Sequence, residues 1–358
     1  MNRRELLCSL LTLPSARMLK TGGMDQAPPN LIGRAGTGLP AEVTAQTSPL
    51  KQSAPLVSMF DGQIFEYLDI FAHSGPALTI SHANVTIRHC RIRHVQGPGL
   101  VARGALDLSL HDCDLTFLGA PERGRARSPG SINVALDGSP GARIWRVRAA
   151  HASSNIYAAN SPHLAISKVE LHDARGPAPR GQNIQFDKCP ASILEDFSAE
   201  NGPTSWTEDN ISIFRSNDCI VRRGIVSYNN SPTGDGVMIE GSFNCTVEDV
   251  DSVQQGNGAF AAVPQGTSRS GNCSFIRCRT RDSYNTVRDG REKPSSDSLA
   301  FYVVASQGAP LHRIIDCRYT SLANSQNLIW KRDSLAPGWT LTGADFVARA
   351  PIRLKFDW

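Results

Sequence analysis

Four acidic residues fall at spacings that would bring them together only if the chain coiled back on itself. Asp209 opens the word Asp-Asn-Ile-Ser-Ile-Phe and Asp235 opens Asp-Gly-Val-Met-Ile-Glu, while Asp187 and Glu240 close the words Asn-Ile-Gln-Phe-Asp and Gly-Val-Met-Ile-Glu. Neighbouring carboxyls raise one another's proton affinity, so one can remain an acid while its partner acts as a base. Glycoside hydrolysis needs such a pair, at about 5 to 5.5 Å for retention and about 6.5 to 9.5 Å for inversion. The spacing points to Asp209 and Asp235 as acid and base, with Asp187 and Glu240 as alternates. The competing reading is that Asp209 and Asp235 cap turns, as Asp often does.

Other side chains near these words suit a sugar. Trp206 lies three residues before Asp209 and Glu208 directly before it; an indole there would stack on a pyranose ring or pack under its own loop. Arginines crowd the loops, at Arg123, Arg125, Arg127, Arg175, Arg180, Arg281, Arg288 and Arg291. Guanidinium pairs bidentately with carboxylates, so an acidic polysaccharide is one expected partner, and solvated loop charge is the alternative. Arg180, Trp206 and Tyr157 are expected to position the glycan, with Gln185 and Glu208 as further contacts. His163 and His172 sit near strand ends as weaker candidates for a base.

A repeat in the chain supplies the elements that would hold these residues. Asn-Ile-Gln-Phe begins at Asn183, Asn-Ile-Ser-Ile at Asn210 and Gly-Val-Met-Ile at Gly236. Each leads to a second apolar word, at Ile193-Leu194, Ile220-Val221 or Thr246-Val247, and a third near Phe197, Ile225 or Val250. Three short strands per repeat of roughly 22 to 28 residues predict an all-β, single-stranded, right-handed parallel β-helix of about nine or ten rungs. Residues one repeat apart then lie about 4.8 Å from each other on a common wall, and Asp187 and Glu240, two repeats apart, about 9.6 Å.

Strand alternation assigns the faces. With Ile184, Phe186, Ile211, Ile213, Val237 and Ile239 inward, Gln185, Asp187, Ser212, Phe214, Met238 and Glu240 point out. Carrying that register upstream adds Tyr157 and Asn133 to the outward, water-facing row. Asn155, Asn183 and Asn210, and separately Asn217, Asn244 and Asn272, recur at turn positions and are expected to hydrogen-bond from rung to rung. Cys219, Cys245 and Cys273 recur likewise; with no Cys-x-x-Cys or His-rich cluster to hold zinc, the cysteines read as small inward hydrophobes.

Words such as Gly234-Asp235-Gly236-Val237-Met238-Ile239 and Asn244-Cys245-Thr246-Val247 resemble the right-handed β-helix of the pectin-lyase-like superfamily, which includes pectate lyases, polygalacturonases and alginate epimerases. The resemblance covers residues 55 to 346. It implies an extended glycan bound in a groove along one sheet, beside the long loops at 119 to 131, 200 to 209 and 281 to 298, and cleaved by hydrolysis or by β-elimination on a uronic acid. A lyase would bring calcium held by acidic side chains; otherwise no cofactor is expected. Thr-Glu-Asp at 207–209 and Thr-Gly-Asp at 233–235 resemble words of polygalacturonases, but the Asp-Asp, Gly-His-Gly and Arg-Ile-Lys words of that group and the Asp-Pro-His word of the epimerases are missing. The second class of reading is a non-catalytic glycan-binding, adhesin-like or tailspike-like β-helix.

Bulk properties agree with a solenoid. The 358 residues contain 30 Gly and 22 Pro and are only 20% charged, as many short strands joined by turns require. A net charge of +4, with its cations scattered, argues against nucleic acid, and no apolar run is long enough to span a membrane. Asn2-Arg3-Arg4-Glu5-Leu6-Leu7 resembles a twin-arginine export signal, which places the protein in the periplasm or outside the cell; a basic tail on a cytoplasmic protein is the alternative. The expected organisation is signal 1–20, linker 21–54 and β-helix 55–358, with the oligomeric state left open.

Overall fold

Residues 49–119, 131–176, 181–202, 205, 207–229, 231, 234–281, 300–320, 338–343 and 345–346 are described by a computed structural model. Alternation of apolar and polar residues turns nearly every repeat word into a strand. Among the described residues these strands form two sheets, one of ten strands and one of seventeen, in which all neighbours run parallel. The chain is a right-handed parallel β-helix. Inward side chains stack in columns: Ile156, Ile184, Ile211, Val237, Phe260 and Phe301 in the ten-stranded sheet, facing Ile144, Ile166, Leu194, Val221, Val247 and Phe275 in the other. All are buried, and such burial stabilises by about 1.5–3 kcal/mol per side chain.

A left-handed residue bends each long strand of the seventeen-stranded sheet, at Asp112, Arg146, Lys168, Asp196, Arg223 and Asp249, and Arg277 makes the same bend between two short strands, with φ between 50 and 54°. Opposite charges meet at successive bends. Arg146 grips Asp112 through two bonds of 2.6 Å, Arg223 grips Asp196 at 2.6 and 3.0 Å, and Arg277 grips Asp249 at 2.8 and 2.7 Å. A slip of one residue would break all three pairs and turn the apolar columns outward, so register is fixed twice.

Asparagines fill the corner that leads into the ten-stranded sheet. Asn133 donates to Asn155 at 2.8 Å, Asn155 to Asn183 at 2.7 Å, Asn183 to Asn210 at 2.8 Å, and Asn210 to Gln255 at 2.8 Å. His94 closes the other end against Asn133 Oδ1 at 2.7 Å. Asn133 is therefore inward and buried, which corrects the outward position taken from simple alternation. Two consecutive residues, Asn133 and Val134, both face in at this corner, and Ala135 takes the place beside Tyr157. The ladder stops at Gly236 because a Cβ there would lie 2.1 Å from Ser252 Oγ.

The second asparagine ladder is shifted by one residue from expectation. Asn272 donates to Asn244 and Asn244 to Asp218, at 2.8 and 3.0 Å, while Asn217 instead accepts the Phe243 N–H. The eight described cysteines are free and buried. Cys219, Cys245 and Cys273 stack thiol to thiol in one column, and burial pushes the Cys189 thiol up to about 12. Strand Lys51–Ser53, paired with Leu68–Ile70, falls inside the segment expected to be linker. As a largely exposed edge strand it carries no apolar alternation to announce it.

Candidate functional site

Three rows of side chains cross the outward face of the ten-stranded sheet. Ala135, Tyr157, Gln185, Ser212 and Met238 form the middle row, and Asp137, Ala159, Asp187, Phe214 and Glu240 the row beyond it, in continuous register. Asp209 pairs with Asp235 in the row nearest the corner. The four carboxyls thus share one wall, as the spacing predicts.

Their surroundings separate them into two kinds. Asp209 Oδ1 accepts the Asp235 N–H at 3.0 Å, and Asp235 Oδ1 accepts the Gly258 N–H at 2.7 Å and Asn257 Nδ2 at 3.0 Å. Both residues are buried, and each ties the start of its strand to the next coil, which is the turn-capping role weighed against catalysis. Asp187 is half-buried at the strand end, where the Tyr157 hydroxyl donates to its Oδ2 at 3.0 Å. Glu240 lies two coils on, with Gln265 Nε2 3.2 Å from its Oε1. Phe214 stands between them in register, half-exposed, with the Arg215 guanidinium 4.8 Å from its ring centroid. An aromatic ring flanked by two carboxyls can carry a sugar while both carboxyls reach its bonds.

The outward face is open at one end and covered at the other. Tyr157, Asp187 and Phe214 are partly exposed, whereas Gln185, Ser212, Met238 and Glu240 are buried. Met238 packs with Ala261, Val263, Tyr302 and Val304 in an apolar cluster separate from the core. The row is thus less water-facing than alternation alone suggests.

The neighbouring turns add contacts. Gln182 Nε2 donates to Glu208 at 3.0 Å, and Asp173 Oδ1 accepts the Gly202 N–H and the Ser205 hydroxyl. Arg175 donates to His151 at 3.0 Å; burial, and next the Arg175 charge, hold that imidazole below its ordinary value. Arg281 and His172 end strands of the other sheet, and His163 lies in an exposed turn, so none of the three joins this face. Arg180 and Trp206, with Arg123, Arg125, Arg127, Arg288 and Arg291, lie outside the described residues. Among the described residues no group of three or more His, Cys, Asp or Glu side chains is placed to share a metal ion. No described helix is long and apolar enough to cross a membrane.

Gln182, Phe214, Arg215 and Gln265 were not among the expected site residues. Gln182 was legible by position, because it precedes Ile184 by the same two residues that separate Asp209 from Ile211. Phe214 was assigned to the outward row without a role. Gln265 reaches Glu240 only because a tight turn closes between Gln265 and Ser268, which no periodic signal marks.

Three solved structures share the architecture. An alginate lyase from Paenibacillus sp. str. FPU-7 superposes with a TM-score of 0.50 at 13% identity, covering 86% of this chain and 95% of its own. The enzymatically active domain of bacteriophage CBA120 tailspike protein 2 gives 0.51 at 10% identity, and the Dettilon tailspike protein 0.53 at 11%. They cover 82% and 83% of this chain, which spans only 47% and 61% of theirs. The sequence matches no family model and no curated protein. At such identities the likeness shows the fold alone, a parallel β-helix.

Proposed function

We propose that the protein acts on a polysaccharide laid along the ten-stranded sheet, cleaving it by acid–base hydrolysis. The observation that carries this reading is the alignment of Asp187, Phe214 and Glu240 in one row. Two strand spacings put the two acidic backbones about 9.6 Å apart, and flexible side chains can close that to the about 6.5 to 9.5 Å of an inverting pair. Asp187, oriented by the Tyr157 hydroxyl, serves as the base that takes a proton from water. Glu240 gives a proton to the leaving oxygen, and Phe214 carries the intervening ring. Asp209 and Asp235, the pair favoured by spacing, keep the capping role their backbone bonds give them.

Export through the twin-arginine signal belongs to the same proposal, since a polysaccharide of the envelope or surroundings is met outside the cytoplasm. β-Elimination on a uronic acid is the alternative chemistry, and the two carboxyls flanking Phe214 favour hydrolysis over it. Binding without turnover is a second reading, favoured by the burial of Glu240. The test is a screen of the purified full-length protein against neutral, amino and uronic-acid polysaccharides, read for new reducing ends and for the ultraviolet absorbance of unsaturated products. Hydrolysis predicts reducing ends without that absorbance, and a loss of about 10²–10⁴-fold in kcat for Asp187→Asn or Glu240→Gln. Unsaturated products, or full activity in both variants, would overturn the mechanism.

A further inference from the structure

Three oxygens around one coil of the ten-stranded sheet are buried and accept no hydrogen bond from the described residues: Gln182 Oε1, Gln185 Oε1 and Asp187 Oδ1. Gln182 is 1% and Gln185 7% exposed, so a partner reaches either oxygen only as the side chains over it part. Such groups are rare, because an unmet buried acceptor costs about 1–3 kcal/mol. Three on one coil mark a place built to be completed by something else.

The chemistry of that something follows from the atoms. Gln182 has its amide nitrogen turned to Glu208, which leaves the oxygen as its open side. Asp187 has Oδ2 turned to the Tyr157 hydroxyl, and its other oxygen can only accept while the carboxyl is ionised. Gln185 and Asp187 are successive outward residues, about 6.7 Å apart along an extended strand, a span comparable to one sugar unit. Resting on the polysaccharide reading above, we infer that this coil is the subsite that selects the glycan, and that it takes a unit rich in donors, a neutral or amino sugar, instead of a uronic acid. Hydroxyl or ammonium hydrogens would satisfy the two glutamine oxygens, leaving Asp187 Oδ1 to the attacking water. A uronate carboxylate would bring further acceptors to acceptors, beside Asp187 and the Asp209 and Asp235 pair, and like charges at that distance repel.

An oligosaccharide array holding neutral, amino and uronic-acid glycans, probed with the full-length protein and with Gln185→Leu, separates the possibilities. The inference expects neutral or amino sugars to bind and Gln185→Leu to weaken them by about threefold to tenfold, the worth of one hydrogen bond. Amino sugars that bind better at a pH where they are protonated identify the ammonium as the donor; equal binding across pH identifies hydroxyls. Because leucine removes an unmet acceptor, the same variant should melt no lower than the parent protein. Preference for uronic acids, unchanged binding by Gln185→Leu, or a lower Tm would overturn the subsite while leaving the polysaccharide reading standing. Binding to no glycan at all would remove both.

Discussion

Asn183→Ala should be among the most damaging single substitutions in the chain, although it removes no apolar surface. Asn183 is fully buried; its oxygen accepts from Asn155 at 2.7 Å, and its nitrogen donates to Asn210 at 2.8 Å and Asn201 at 3.1 Å. After truncation Asn210 Oδ1 keeps a bond from Asn201 at 2.6 Å, and Asn155 keeps one N–H on the His172 carbonyl at 3.0 Å. The second N–H of Asn155 is left buried without its acceptor. One stranded donor at about 1–3 kcal/mol, with the loss of two further buried bonds at about 1 kcal/mol each, gives a cost of roughly 3–5 kcal/mol. Asn244 is the control, because it holds an equivalent ladder position in an exposed turn. Water replaces its partners, so Asn244→Gly, which keeps the left-handed backbone of this turn at φ 59°, should cost under about 1 kcal/mol. Urea denaturation of both variants, with amide exchange across 154–214 to detect local opening of a solenoid, measures the difference. Equal losses in the two variants would refute the view that the buried ladder is held by its closed chain of bonds.

Two further outcomes are expected. Burial alone would raise the Asp112 carboxyl, but the bonds from Arg146 and His111 outweigh it and hold the carboxyl below its ordinary value. A folded value below the unfolded one of about 3.9 gives stability that is present above that pH and lost as pH falls through the lower folded value; Asp112→Asn should cost roughly 1–3 kcal/mol near neutrality and flatten the acid limb, read by urea midpoints between about pH 2 and 7. The eight buried thiols should resist a thiol reagent in native buffer and react together on unfolding; rapid native labelling of Cys245 or Cys273 would show that their column opens.

Much of the frame was legible because a solenoid writes its contacts into its period. Asn183, Asn210 and Gly236 lie 26 or 27 positions apart, and that spacing alone placed the four carboxyls on one wall. Alternation failed where the corner turns two consecutive side chains inward, at Asn133 and Val134, and where an edge strand such as Lys51–Ser53 buries too little to need a pattern. The division of the carboxyls was not legible at all. Whether an aspartate caps a turn or faces a ligand depends on which backbone N–H lies within reach, and Asp209 and Asp187 differ in that respect only once the coils are stacked. The orphaned oxygens of Gln182 and Gln185 were invisible for the same reason, since a missing partner leaves no mark in the chain.

The central claim, that the outward face of the ten-stranded sheet binds and cuts a glycan between Asp187 and Glu240, is tested most directly by an experimental structure of the Glu240→Gln protein with an oligosaccharide cut from its active polysaccharide. The account predicts a sugar ring over Phe214, with its scissile oxygen beside residue 240, hydroxyl or ammonium donors on Gln182 and Gln185, and Asp187 facing the position of the attacking water. A glycan bound along the seventeen-stranded sheet, or seated with its scissile bond at Asp209 and Asp235, would contradict it.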